Sequence, residues 1–126
     1  MKLEEIFPTN GFSEQETELL IYSRDASSFE GKCSAIVWPT KKEQILTLLQ
    51  YARRTGKRVT IRGAATSNKG GCIPTDSIVM DLSKMNKILR IEKDHVIVEC
   101  GVILDELNYA LGRTKQFPIK PIEHEV

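Results

Sequence analysis

The chain has 126 residues, which suits one domain able to bury roughly two-thirds of its unfolded surface. Its 18 Lys and Arg nearly balance its 17 Asp and Glu, so the net charge of +1 exerts no general pull on nucleic acid or anionic lipid. No apolar run reaches the length of a membrane span, and the acidic start Met1-Lys2-Leu3-Glu4-Glu5 does not resemble a signal peptide. Cys33, Cys72 and Cys100 have no metal-ligand spacing and no histidine motif beside them, so the expectation is reduced thiols, no metal site and a cytoplasmic protein.

The elements follow in chain order. Ser13 followed by Glu16 has the form of a capping box and predicts a helix start, with Leu19, Leu20 and Tyr22 as its apolar face. Residues 23–32 are polar without a period and read as loop. Ala35-Ile36-Val37-Trp38 is a β-prone run ended by Pro39. Thr40 with Glu43 predicts a second capping box. Ile45, Leu48, Leu49 and Ala52 then repeat at helical spacing, with Gly56 as the stop. Val59-Thr60-Ile61 completes a strand–helix–strand unit, whose two strands should run parallel. Residues 78–82 give a third strand. Residues 88–91 and 96–100 form an antiparallel hairpin across Glu92 to His95. A last helix is expected from about Ile103 to Leu111, stopped by Gly112.

The segment Arg62-Gly63-Ala64-Ala65-Thr66-Ser67-Asn68-Lys69-Gly70-Gly71 carries the chemistry. Small residues let a backbone approach another group closely, and consecutive N–H groups in such a loop form a concave nest suited to a phosphate or diphosphate. Thr66 and Ser67 add hydroxyl donors. The loop follows a strand of the expected parallel sheet, and ligands of such sheets collect at the carboxyl ends of the strands. On its own a glycine-rich loop is more often a plain turn. This one is neither the G-x-G-x-x-G fingerprint nor a P-loop. Lys57, Arg58 and Arg62 read as a solvated basic face, Asp25, Asp81 and Asp105 as cap or surface groups, and His95 as a solvated turn residue. Met80, Met85, Trp38 and Cys72 read as packing. No catalytic constellation emerges.

The flanks sharpen the reading. Pro39-Thr40-Lys41-Lys42-Glu43, the amphipathic helix, Arg62-Gly63 through Gly70-Gly71, Asp81-Leu82-Ser83-Lys84-Met85-Asn86 and Gly101-Val102 occur in an order that resembles the FAD-linked oxidases of the p-cresol methylhydroxylase and vanillyl-alcohol oxidase fold. The chain is most similar to the glycolate oxidase D subunit and D-lactate dehydrogenase branch. The resemblance implies that Gly63, Ala64, Ala65, Thr66, Ser67, Gly70 and Gly71 line the FAD diphosphate site. It implies noncovalent flavin, because relatives that attach it place a histidine near Thr66 and none stands there. The family usually has glycine where this chain has Ala65. A methyl there narrows the approach to the phosphates or forces a different backbone.

The expected fold is therefore α/β (α+β). A small parallel βαβ sheet with flanking helices is followed by the start of an antiparallel second lobe, all within one domain over residues 1–126. The family's domain holds FAD between two lobes. The resemblance implies that the second lobe and the substrate domain lie beyond Gln116–Val126 in relatives. The expectation is thus a FAD-binding fragment of a 2-hydroxy-acid oxidoreductase that does not turn over alone. Its expected partners are FAD and the missing part as a separate chain, or a homodimer, with no nucleic acid. The alternatives are an interaction subunit that keeps the fold without flavin, and an unrelated α/β protein with a phosphate-binding loop.

Overall fold

A computed structural model describes residues 1–67, 69–113 and 119. Its contacts divide the chain into two compact units, Met1–Lys84 and Met85–Val126. The first is a four-stranded sheet with helices. In chain order it contains α1 (Leu3–Ile6), β1 (Phe12–Ser13), α2 (Glu16–Tyr22), β2 (Lys32–Val37), α3 (Lys42–Thr55), β3 (Arg58–Arg62) and β4 (Thr75–Asp81). The strands lie in the order β1-β2-β4-β3. Strand β4 runs parallel to both β2 and β3, while β1 is antiparallel to β2. The strands expected near Ile36, Val59 and Ile78 are thus all present and mutually parallel. One detail differs from the simple strand–helix–strand picture: β2 and β3 are not neighbours, because β4 inserts between them.

Strand β4 is central, so it is buried on both faces from Ser77 to Asp81, with Ile78, Val79 and Met80 as its apolar core. Ser77 is tolerated there because its hydroxyl lies 2.6 Å from Thr60 Oγ1. On one face Leu19, Tyr22 and Trp38 pack against Cys33, Ile36 and Val79. Helix α3 packs against β3 and α1, burying Leu48 and Ala52 one turn apart. Truncating the fully buried Leu48 to alanine costs about 2–5 kcal/mol by this logic. Leu49, expected on the same face, is instead exposed. Helix α3 ends where Gly56 takes φ +69, and the Lys57 N–H donates to the Ala52 carbonyl.

The two capping boxes do not form as expected. Ser13 lies in β1, and its hydroxyl accepts from the Gln15 amide and bonds the Glu18 carboxylate, so α2 begins only at Glu16. At α3, Gln44 rather than Glu43 reaches back: its Oε1 accepts from the Thr40 amide at 2.8 Å. Gln44 Nε2 also donates to the Ile6 carbonyl, tying α1 to α3. Leu20, expected on the apolar face of α2, is 65% exposed.

The second unit contains β5 (Ile88–Ile91), β6 (Val96–Val98) and α4 (Leu104–Arg113). The hairpin is antiparallel as expected, with Glu92 N–H bonded to the His95 carbonyl across the turn. Leu107 and Leu111 form the buried face of α4. Gly112 does not stop this helix but lies inside it; a Cβ there would meet nothing, so the backbone continues helically at only a propensity cost. The expected proline-containing stretch at 116–126 lies outside the described residues except for Ile119. Among the described residues no helix is long and apolar enough to cross a membrane.

Candidate functional site

The glycine-rich loop leaves the sheet at the carboxyl end of β3. The last ladder bond runs from Leu82 N–H to the Arg62 carbonyl, and Gly63 begins the excursion. Parallel strands β2, β3 and β4 all end on this side, at Val37, Arg62 and Asp81. Gly63, Ala64, Thr66 and Gly71 are exposed, while Ala65, Ser67 and Gly70 are half-buried. All seven predicted residues therefore belong to one surface loop at the strand ends.

The amides decide what such a loop can do. Those of Gly63, Ala64, Ala65, Thr66, Ser67 and Gly70 donate to no described acceptor. Those of Lys69 and Gly71 are turned inward, both onto Ser67 Oγ at 3.3 Å. Ser67 thus shapes the loop by accepting two N–H groups, and its own hydroxyl proton remains available to donate. A run of free N–H groups is the chemistry of an anion nest.

Two positions show how the backbone is held. Ala65 adopts φ +57, the left-handed region, although it carries a methyl. Its carbonyl accepts from the Ala26 amide, which pins the conformation from outside the loop. Gly63 is the opposite case. Its φ lies outside the left-handed region, and a Cβ built on it would meet nothing within 4 Å. The fold does not require glycine there, and the space beside its Cα is open.

Behind the loop stands a polar cluster that the sequence reading did not foresee. Tyr22 Oη donates to Asp81 Oδ2 at 2.6 Å and accepts from Trp38 Nε1 at 3.3 Å. The Tyr22 and Trp38 rings meet edge to face. The Arg62 guanidinium lies 4.5 Å over the Tyr22 ring and donates to the Arg24 carbonyl at 2.7 Å. Burial, and secondarily the bond to Asp81, push the Tyr22 phenol up to about 12. Asp81, read from sequence as a cap or surface group, is buried; it keeps a cap role through Ser83 N–H at 2.8 Å, but its other oxygen anchors Tyr22. The signal for this was present in the buried strand Ile78–Leu82, where an interior carboxylate demands donors.

The other residues singled out in the sequence lie on their own elements. His95 is exposed in its hairpin turn, 2.7 Å from Asp94. Met80 and Met85 are buried, as read. Cys33 is buried, and burial raises its thiol pKa.

A family model described as FAD binding domain matches residues 33–124. The D-lactate dehydrogenase of Archaeoglobus fulgidus is 31% identical over 116 residues, covering 89% of this chain and 25% of that protein. The D-2-hydroxyglutarate dehydrogenase of Pseudomonas putida is 35% identical over 97 residues, covering 72% of this chain and 10% of that protein. The crystal structure of p-cresol methylhydroxylase superposes with a TM-score of 0.73 at 19% identity, over 90% of this chain and 24% of that one, a likeness of fold. The chain thus spans a quarter or less of the length of these relatives.

Proposed function

The chain belongs to the FAD binding domain family, and on that premise we propose that its loop of residues 63–71 holds the diphosphate of FAD, noncovalently, for a 2-hydroxy-acid oxidoreductase of the glycolate or D-lactate type. The observation that carries this reading is the row of unbonded amides at the carboxyl ends of the parallel strands. Oriented N–H dipoles suit a dianionic group without a cationic side chain. Thr66 and Ser67 add hydroxyl donors, and the bare Cα of Gly63 leaves room for the phosphates to come close. Arg62 is not assigned to the phosphates, because its guanidinium is engaged with the Arg24 carbonyl and the Tyr22 ring.

When bound, the flavin accepts the hydride; the residues of this chain bind and orient it. No histidine stands near Thr66, in keeping with a noncovalent cofactor. The 2-hydroxy-acid class is supported by the D-lactate and D-2-hydroxyglutarate dehydrogenases among the relatives. We assign residues 1–126 to part of one FAD-binding domain and no catalytic side chain to them, so the chain alone is expected not to turn over. Strand β3 is a sheet edge with Ile61 59% exposed, which favours further protein on this side, either the remainder of such a domain or a second copy.

One observation favours a second reading, an interaction subunit that has lost flavin: Ala65 keeps a left-handed backbone while carrying a methyl. Titration of FAD with flavin fluorescence as the readout separates the two. Saturable quenching, with yellow protein after gel filtration, supports the flavoprotein; no quenching at high protein concentration supports the second reading.

A further inference from the structure

The segment between α2 and β2 reads in the sequence as featureless polar loop, yet it lies along the glycine-rich loop. Ala26 N–H donates to the Ala65 carbonyl at 3.2 Å. The Arg24 carbonyl receives Arg62 at the root of the loop. Phe29 fills the space behind Gly70, where a Cβ would stand 2.9 Å from its Cδ2. Asp25 sits at the centre of these contacts. Its Oδ1 accepts from Ser27 N–H at 2.7 Å, an Asx turn that fixes the chain on either side of Ala26. Its Oδ2 is enclosed and has no hydrogen-bond partner among the described residues. Hydrogen bonding to Ser27 first, and to a lesser degree the Arg62 charge, hold its carboxyl below the usual carboxylate range.

We propose that Asp25 is a positioning residue: through the Asx turn to Ser27 and the Ala26–Ala65 bond it clamps the loop of residues 63–71 in the shape that leaves its amides free, without itself touching the ligand. The role as a clamp for a FAD site rests on the function proposed above. A fixed carboxylate is a poor direct partner for a diphosphate, since like charges repel. It is a good internal anchor, because one short side chain can hold several backbone donors.

Native-state amide exchange tests the clamp without any ligand. In Asp25→Ala the Ala26 and Ser27 amides should exchange about tenfold faster or more, the loss of a charge-assisted bond, while Ile36 and Val79 in the sheet stay unchanged. FAD affinity should fall by about tenfold in the same variant and return to near the wild-type value in Asp25→Asn, which keeps one acceptor for Ser27. Asp25→Ser, whose shorter and uncharged hydroxyl is a weaker acceptor for the Ser27 N–H, loosens the same clamp more mildly and should speed Ala26 exchange by a smaller factor, which keeps the test decisive if Asp25→Ala folds poorly. Unchanged Ala26 exchange in these variants overturns the clamp. Equal loss of FAD affinity in Asp25→Ala and Asp25→Asn, with exchange unchanged in Asp25→Asn, overturns it too, since it marks direct contact with the cofactor. Wild-type protein that binds no FAD sinks the flavin reading alone, and the exchange rates then decide the clamp by themselves.

Discussion

Replacing Ala65 by glycine isolates the strain that the loop carries. Ala65 sits at φ +57, where an L side chain crowds the following carbonyl at a cost of about 1–2 kcal/mol. Glycine removes that cost but makes the unfolded chain freer, a loss of about 0.4–1 kcal/mol. The net for Ala65→Gly is a stabilisation between about zero and 1.5 kcal/mol. Its neighbour Ala64 is exposed and has no positive φ, so Ala64→Gly carries only the entropic loss. The two variants should therefore differ by about 1–2 kcal/mol, the strain itself. Equilibrium urea unfolding followed by fluorescence reads this out, because Trp38 is the single tryptophan and lies in the unit that holds the loop. FAD should also bind Ala65→Gly more tightly, as a methyl leaves the nest. Equal destabilisation by the two substitutions would refute the left-handed assignment and the strain argument with it.

Three further outcomes follow from the same geometry. Gly63→Ala fills open space at an ordinary φ, so it should leave stability unchanged or raise it by about 0.4–1 kcal/mol while weakening FAD by about tenfold or more; a variant that binds FAD like wild type removes Gly63 from the site. Gly31→Ala should destabilise by about 3 kcal/mol or more in urea unfolding, since its Cβ would stand 2.1 Å from the Pro74 carbonyl oxygen where β2 meets β4; a shift under about 1 kcal/mol contradicts that close approach. Tyr22→Phe should cost about 1–3 kcal/mol by leaving the buried Asp81 short of a donor. The phenol's pKa is raised from 10.0 to about 12 on folding, so the folded state holds this proton more tightly. Its contribution is then whole below pH 10 and is lost as pH rises through about 12, and the stability gap between wild type and Tyr22→Phe should narrow across that window. A gap that is constant with pH there would count against the half-buried, Asp81-bonded phenol.

The parallel sheet and α3 were legible because their signals are redundant. Apolar runs at 35–38, 59–61 and 78–82 and the helical spacing from Ile45 to Ala52 agree with one another, and Gly56 marks the end. The failures came where one local signal competed with packing. Ser13 has the residues of a capping box, but Phe12 and Ser13 pair with Val37 and Ile36, and that ladder takes the serine out of the cap position. Gly112 offers a stop, yet α4 runs through it to Arg113. The order β2-β4-β3 was hidden because spacing shows that strands exist and not which of them pair. The residues of the candidate loop were legible through their small size and their flanks. The contacts around the loop were not: the Asp25 side chain meets the backbone amide of Ser27, and a hydrogen bond from Ala26 N–H to the Ala65 carbonyl leaves no mark on side-chain pattern.

Backbone amide NMR during a FAD titration probes most directly whether free N–H groups at the strand ends receive a diphosphate. The account predicts that the largest shifts fall on Gly63, Ala64, Ala65, Thr66, Ser67 and Gly70, with Lys69 and Gly71, already bonded to Ser67, moving less. Shifts centred on the hairpin around His95 or on the Trp38–Lys84 contact, with the loop amides unmoved, would contradict it.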